Sequence, residues 1–336
     1  MTPQEEKTIK RWNDGLSGKI EIDLILTEDE KSTGFREFCD KLSNLASKLS
    51  INQIKDDENQ VPAIKVGRSI YYHAIPLEAE LEPFLEALTL LDGNSFKLTG
   101  EVQNRLDKVK IPAELKLYIA KQCPFCPKSV KQLIPLTFAN ELIRLEIIDG
   151  TLFPEIAELN NIRSAPTLLL DENFRWTGTT NLNEIVEIIL NRNPSNLSTS
   201  SIISLLKEGN ADQVAEMMLD HNSIFPAFIN TLIHEKWPVR LGAMVAFEYI
   251  IEKNNVLAGQ VINPLWEQFQ SVEDRIKGDI IYVLGETGNI EMIPELENIL
   301  YSGIYHDEVR DAAREALKRI EKSVRTIPQI TKKAGA

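Results

Sequence analysis

The residues with the clearest chemistry are the two cysteines of Cys123-Pro124-Phe125-Cys126. They follow a strand-like run, Leu115 to Ala120, and open a helix-like run, Lys128 to Asn140. Unpaired N–H groups and the positive end of the dipole at a helix N-terminus favour the thiolate, which is the reactive form of cysteine. We therefore expect a redox dithiol in which Cys123 attacks a disulfide and Cys126 resolves the mixed disulfide.

Two other interpretations of this cysteine pair stay open. A zinc half-site needs a second pair or histidines at ligand spacing, and the remaining candidates are scattered singly along the chain: Cys39, His73, His221, His234 and His306. A structural disulfide fits poorly with a chain of only three cysteines and no secretory context. The sequence therefore predicts no metal, and no cofactor other than the redox-active disulfide.

A second segment supports the redox interpretation. Ser164-Ala165-Pro166-Thr167 leads into the apolar run Leu168 to Leu170, which reads as a strand that begins at a proline. Between it and Cys123 lie a strand and a short helix, and after it come a hairpin near Asn173 and a final helix. This order is that of the thioredoxin fold, in which the proline is cis, faces the dithiol and presents the backbone of the preceding residue to substrate. A plain strand-edge proline is the alternative.

The first hundred residues repeat this order without a dithiol. The expected elements are a strand, a helix, a strand, a second proline-led strand and a closing helix, at 19–26, 35–49, 51–55, 60–64 and 78–91. No cysteine stands in the loop Glu28 to Lys31, and Cys39 falls too deep in the helix, where it fits as a small apolar filler. This first fold is expected to support the second rather than react.

Such a tandem resembles the N-terminal region of the flavoprotein subunit of alkyl hydroperoxide reductase and the archaeal protein disulfide oxidoreductases. The resemblance covers about residues 5 to 192 and rests on these stretches: 75–80, 123–127, 148–151, 164–166 and 182–186. It implies that Pro166 and Ala165 bind substrate backbone and that Pro124 and Phe125 support the active site. It also implies that Glu80 faces the dithiol, where it could accept a proton from the resolving thiol or hold the two folds in register. A solvated helix-start glutamate is the alternative for Glu80.

Two features separate this chain from that flavoprotein. The Pro-Phe spacer is closer to the Pro-Tyr of glutaredoxins, and no G-x-G-x-x-G follows a strand, so no flavin or nicotinamide domain is expected. Electrons are then expected from a separate donor, either a reductase or small thiols. Lys121, two residues before Cys123, could favour its thiolate, or could point into water.

Composition restricts the class of protein. The 336 residues suit two or three domains, and 43% apolar content can form real cores. A net charge of −13 argues against nucleic-acid binding, and no run is long enough to span a membrane. Residues 1–6 lack a hydrophobic signal segment, so a cytoplasmic protein is expected.

The last third reads as helical repeats. Helical spacing of apolar residues continues to about Lys322, and Arg240, Arg275 and Arg310 recur at equal intervals. Small or apolar residues recur at fixed distances after each arginine, at 243, 246, 247 and 250, at 278, 281, 282 and 285, and at 313, 316, 317 and 320. This pattern predicts one buried face in three stacked helices, resembling HEAT repeats, with each arginine bridging to the preceding unit.

The fold class expected is therefore α/β tandem thioredoxin folds followed by an all-α HEAT-like solenoid. The predicted boundaries are a fold without dithiol at 1–97, a dithiol fold at 98–193, a linker at 194–200, repeats at 201–325 and a disordered tail at 326–336. The predicted function is thiol–disulfide exchange with a protein client, for which a peroxiredoxin is one candidate, with the repeats docking a partner. The alternative is a redox-sensing interaction protein without turnover.

Overall fold

The computed structural model describes residues 1–56, 61–93, 98–171 and 173–326, with side chains up to residue 322. The chain divides into two compact units, Met1–Arg192 and Asn193–Ala336. The expected tail, 326–336, lies outside the described residues except for residue 326. Residue 60, at which the second proline-led strand was expected to begin, is also outside them. No described helix is both long and apolar enough to cross a membrane.

The first unit is built on one eight-stranded sheet with the order β2-β1-β3-β4-β6-β5-β7-β8. Within each half, the first two strands pair in parallel and the last two form an antiparallel hairpin. Parallel pairing of β4 with β6 joins the halves. The strands are β1 Ile20–Leu26, β2 Leu49–Lys55, β3 Ala63–Val66, β4 Ile70–His73, β5 Ala113–Ile119, β6 Ile143–Asp149, β7 Thr167–Leu170 and β8 Phe174–Thr177.

In the described part of the first unit, seven α-helices accompany this sheet. They are α1 Pro3–Gly15, α2 Ser32–Leu45, α3 Leu81–Leu91, α4 Gly100–Leu106, α5 Cys126–Ala139, α6 Pro154–Leu159 and α7 Leu182–Asn191. A 3-10 turn, Glu78–Glu80, leads into α3. Cys39 in α2 is 2% exposed within the core, as expected for an apolar filler. Helices α1 and α4 are additions that the sequence analysis did not predict.

The two thioredoxin-like folds share one sheet and one hydrophobic core, so they form a single compact unit. The expected boundary at residue 97 borders residues 94–97, which are outside the described part of the chain. The segment 194–200, which was expected to be a linker, contains regular structure. It contains a 3-10 turn, Pro194–Asn196, and the first turn of a helix that begins at Thr199, because the Ser198 hydroxyl accepts the Ser201 N–H and caps that helix.

The described part of the second unit, up to residue 326, is helical. They are α8 Thr199–Lys207, α9 Ala211–His221, α10 Pro226–Leu232, α11 Trp237–Lys253, α12 Asn255–Ala258, α13 Ile262–Gln268, α14 Asp274–Glu286, α15 Ile293–Tyr301 and α16 Asp307–Thr326. Helix α14 packs against both α11 and α16. Most of the recurring positions in these three helices are buried, whereas Gly278, Tyr282 and Leu317 are half-buried. The prediction of a recurring packed face is therefore largely correct.

The predicted role of the arginines is wrong. Only Arg240 is buried and bridges two helices, and its Nε lies 2.6 Å from Asp279 Oδ2 on α14, the helix of the following unit. Arg275 pairs with Glu273, and Arg310 pairs with Asp307 within its own helix. The three arginines are equally spaced in the sequence, but their ion pairs differ. Of the three, only Arg240 pairs with a carboxylate on the next helix.

Replacing Gly285 by alanine should destabilise the second unit by about 1 to 3 kcal/mol. A Cβ at Gly285 would lie 2.7 Å from Ala316 Cβ and 2.8 Å from Ala316 Cα, so α14 and α16 would have to separate. Gly278 in the same helix has nothing within 4 Å of the place that a Cβ would take, so Gly278→Ala should instead stabilise by up to about 1 kcal/mol. Amide exchange in α14 and α16 of the full chain distinguishes the two variants, and equal effects would contradict the close approach.

Candidate redox site

Cys123 and Cys126 form a disulfide with their Cα atoms 5.5 Å apart. Strand β5 leads to Cys123 and helix α5 begins at Cys126, with Pro127 in its first turn preset for a helical conformation. The Cys126 N–H points at Cys123 Sγ at 3.1 Å. Cys123 is half-buried, whereas Cys126 is fully buried. Only Cys123 is therefore accessible to a partner, and a helix-end N–H favours its thiolate.

The backbone before Pro166 faces the reactive sulfur. The Ala165–Pro166 peptide bond is cis, and the Ala165 carbonyl oxygen lies 3.5 Å from Cys123 Sγ. Strand β7 begins directly after this proline and pairs with β5, so both segments leave the same edge of the sheet. The sequence analysis expected this juxtaposition of Cys123, Ala165 and Pro166. An extended client chain would meet backbone polar groups here, beside the disulfide.

Of the other predicted site residues, Pro124 and Phe125 lie at the surface, and Lys121 pairs with a residue of the first fold. Pro124 is exposed, and Phe125 is 58% exposed immediately before α5, so both stand at the surface around the disulfide. The Lys121 ammonium lies 3.0 Å from Glu78 Oε1, with both side chains about half exposed. Lys121 is therefore engaged with the first fold rather than with a cysteine sulfur.

Glu80 is a buried carboxyl group without a hydrogen-bond partner. The side chain belongs to the 3-10 turn that packs against α5, and it is 7% exposed. Neither carboxyl oxygen has a partner among the described residues. Burial first, and then the negative charge of Asp149, raise the pKa of Glu80 to about 7. A carboxyl group that exchanges its proton near neutral pH suits acid–base work.

Glu80 lines a cavity of about 280 Å³ at the junction of the two thioredoxin-like folds. Lys121 and Asp149 line it too, together with Ile119 at the end of β5. The Asp149 carboxylate accepts hydrogen bonds from the Thr151 N–H and hydroxyl at 2.8 and 2.6 Å. The sequence analysis did not select Asp149 as a site residue. Its position at the end of β6, which runs parallel to the strand leading to Cys123, was the available signal.

Glu80→Gln should change how stability depends on pH. The raised pKa means that native Glu80 holds its proton between pH 4.5 and about 7 while the unfolded chain loses it, so the free energy of unfolding of the natural protein falls as pH rises through this window. The glutamine variant lacks this pH-dependent loss. The difference in free energy of unfolding between the variant and the natural protein should therefore shift in favour of the variant by roughly 2 to 3 kcal/mol from pH 4.5 to 8. Urea unfolding at several pH values measures it. Glu82→Gln, on an exposed side chain, is the control, and parallel pH curves for all three proteins would contradict the assignment.

No cluster of three or more histidine, cysteine or acidic side chains that could hold a metal occurs within the described ranges. The histidines named in the sequence analysis stand apart. His73 is buried with Nδ1 3.0 Å from the Pro62 carbonyl oxygen, and burial lowers its pKa. His306 lies 3.3 Å from Asp274 in the second unit.

Comparisons with known proteins agree with this site. The thioredoxin domain family matches residues 113–190, the segment from β5 to α7. An NADH dehydrogenase of Bacillus subtilis is 28% identical over 176 residues, which are 50% of this chain and 34% of that protein. The alkyl hydroperoxide reductase AhpF of Staphylococcus aureus is 23% identical over 171 residues, which are 49% of this chain and 33% of that protein. The chain thus spans about a third of the length of these relatives.

Two solved structures share the fold of the first unit. The NTD_N/C domain of the alkyl hydroperoxide reductase AhpF from Enterococcus faecalis matches with a TM-score of 0.50 and 20% identity, covering 56% of this chain and 99% of that one. A protein disulfide oxidoreductase from Aeropyrum pernix matches with a TM-score of 0.53 and 14% identity, covering 59% and 95%. The first unit is therefore a thioredoxin-fold region that resembles the N-terminal domain of the alkyl hydroperoxide reductase AhpF and an archaeal protein disulfide oxidoreductase.

Proposed function

We propose that this protein is a thiol–disulfide oxidoreductase that acts on a disulfide in a protein client. The observation that supports this most is the half-exposed Cys123 sulfur, bonded to a buried Cys126 and facing the backbone before a cis proline. In the reduced protein, Cys123 attacks one client sulfur and the other client sulfur leaves as a thiol. Cys126 then attacks Cys123 Sγ, which releases the second client thiol and reforms the protein disulfide.

Glu80 is the group that we assign to proton transfer at this site. It can accept the Cys126 proton as that thiol attacks, because its pKa of about 7 lets it exchange protons at neutral pH. Ala165 and Pro166 hold the client backbone, and Pro124 and Phe125 form the surrounding surface. The redox-active disulfide is the only redox group that this mechanism requires, and a separate donor returns the dithiol to its reduced form.

A peroxiredoxin is the client that we favour, because the relatives include alkyl hydroperoxide reductases. We assign HEAT-like docking of a protein partner to the second unit, whose helix α11 exposes Trp237, Leu241 and Val245 on one face. The net charge of −13 supports a protein partner rather than nucleic acid. We place the protein in the cytoplasm, unattached to a membrane. This reducing compartment suits a cysteine pair that alternates between dithiol and disulfide.

Cys126→Ser should trap the client. Without the resolving thiol, the mixed disulfide on Cys123 persists instead of being released, so disulfide-linked complexes should accumulate in cells that express the variant. Non-reducing electrophoresis followed by mass spectrometry identifies the trapped protein. Cys39→Ser is the matched control, because Cys39 is buried away from the site.

The result separates two functions. Trapped complexes that dissolve on reduction, and that are absent from Cys123→Ser, support turnover. A partner that binds or leaves with oxidation state, without any mixed disulfide, would instead support a redox-sensing interaction protein. If neither mixed disulfides nor redox-dependent binding is observed, the proposal is overturned.

A further inference from the structure

Strand β2 forms one edge of the eight-stranded sheet. It stands at the end of the strand order, so no described strand pairs with its outer side. On its inner side, the Lys48 carbonyl and the Asp56 N–H bond to the backbone of β1 at 2.9 and 3.0 Å. Because backbone groups alternate in direction along a strand, those of the odd-numbered residues point away from β1. The open edge therefore presents the N–H and C=O groups of Ile51, Gln53 and Lys55.

This edge lacks the features that usually keep an open strand from pairing. Edge strands in natural proteins are commonly very short, or carry proline or several charges. Strand β2 has seven residues, contains no proline, and has its one charged residue, Lys55, at its end. Ile54, beside it, is 42% exposed. The strand at the opposite edge, β8, has only four residues. The outer side of β2 is thus suited to adding a strand from another chain.

The residues of this segment are complementary to a second copy of themselves. Lys48 and Asp56 each stand four residues from Asn52, on opposite sides of it. In an antiparallel pair centred on Asn52, Lys48 of each copy therefore faces Asp56 of the other, and opposite charges directly across two strands stabilise their pairing. The same register sets Ile51 against Gln53, so that outward-facing backbone groups meet. Moving the centre to Ile51 or Gln53 keeps the backbone bonds but separates the charges.

We infer that two copies of this chain pair through β2, antiparallel about a two-fold axis at Asn52. The pairing joins the two sheets edge to edge, and it uses the same edge of both copies, so association stops at a dimer. The Lys48 ammonium donates to the Leu16 carbonyl and has two further N–H groups for a carboxylate across the axis. The matched charges at both ends of the segment favour a second copy over an unrelated strand.

Charge reversal tests the register. Lys48→Glu places two carboxylates against each other at both ends, and Asp56→Lys does the same with ammonium groups, so each variant alone should dimerise about tenfold more weakly. An equimolar mixture of the two variants restores opposite charges at both ends and should dimerise like the natural protein. Sedimentation equilibrium of the full chain measures the dissociation constants. Lys41→Glu, on an exposed side chain of α2, is the control for net charge and should leave dimerisation unchanged.

A cross-link tests the axis without altering the charges. Asn52 meets its own copy at a position without backbone hydrogen bonds, where the Cα atoms of an antiparallel pair are about 4.5 Å apart. That separation suits a disulfide, so mild oxidation of Asn52→Cys should link two chains through position 52. Gln53→Cys is the matched control, because Gln53 faces Ile51 rather than its own copy. Peptide mapping by mass identifies the linked positions.

Several results would overturn this pairing. They are a natural chain that stays monomeric at every concentration, a mixture of the charge variants that dimerises no better than either alone, an equal weakening by Lys41→Glu, and equal cross-linking from positions 52 and 53. The proposed function does not require the dimer, so it would survive each of them. Trapping by Cys126→Ser tests that function separately.

Discussion

Replacing Arg192 by leucine should lower the free energy of unfolding of the first unit by about 3 to 5 kcal/mol. The Arg192 and Asp171 side chains are both 0% exposed, and Arg192 Nε lies 2.6 Å from Asp171 Oδ2. The guanidinium also donates to the carbonyl oxygens of Ile189, Ile111 and Pro112. Leucine would leave three carbonyls without this donor and would remove the guanidinium from the buried Asp171 carboxylate, which would keep the hydrogen bond from the Glu114 N–H. Removing one member of a buried ion pair is strongly destabilising.

A surface pair on the same unit provides the control. Arg68 lies 2.8 Å from Glu141, but the two side chains are 81% and 75% exposed. Arg68→Leu should therefore change stability by less than about 1 kcal/mol. Urea unfolding, followed by amide exchange in β5 and β7, measures both variants in the full chain. Similar small effects for Arg192→Leu and Arg68→Leu would show that burial does not decide the strength of these pairs.

The local part of the fold could be predicted because its signals are local. Strand β5, helix α5 and the strand after Pro166 begin and end within a few residues of the expected positions, since alternating apolar residues and helix-breaking residues mark them. The cysteine pair and Pro166 meet because the fold implied by that order brings both to one edge of the sheet. Cys123, Ala165 and Pro166 were thus accessible to sequence reasoning.

The pairing of β4 with β6 could not be predicted in the same way. Strand edges pair through backbone N–H and C=O groups, which every residue carries, so the residue pattern does not say which edges meet. The pKa of Glu80 depends on that pairing. It is raised by burial between two folds and by Asp149, which is distant in sequence. The resemblance suggested the position of Glu80, but only the assembled sheet supplies the reason for its unusual protonation.

The missed helix α1 and the start of α8, which falls inside the expected linker, had signals of their own. Thr2 and Glu5 form a reciprocal capping box at the start of α1, with a proline in the first turn, a combination typical of a helix N-terminus. At the start of α8, inside the expected linker, the Ser198 hydroxyl accepts a hydrogen bond from the Ser201 N–H. The sequence analysis assigned the linker 194–200 from its polar residues. Polar residues at a helix start satisfy free N–H groups, so polarity alone does not indicate a linker.

In the reduced protein, iodoacetamide at pH 7 should modify Cys123 at least about a hundredfold faster than Cys126 or Cys39. Cys123 is half-buried, and its sulfur accepts a hydrogen bond from the Cys126 N–H. Cys126 and Cys39 are 0% and 2% exposed. Burial raises the pKa of Cys39 to about 12, so only about one molecule in 10⁵ carries its thiolate at pH 7. Peptide mapping by mass after timed quenching gives the three rates, and the urea-unfolded chain, where all three should react alike, is the control.

The order of modification decides which cysteine attacks. Because the thiolate is the nucleophile, raising the pH should speed the Cys39 reaction about tenfold per pH unit up to the pKa of its thiol. Initial modification of Cys126 would reverse the roles assigned to the two sulfurs and would move the mixed disulfide into the core, where no client could reach it. Preferential modification of Cys123 leaves one arrangement, in which client and donor both meet the protein at the sulfur beside Ala165.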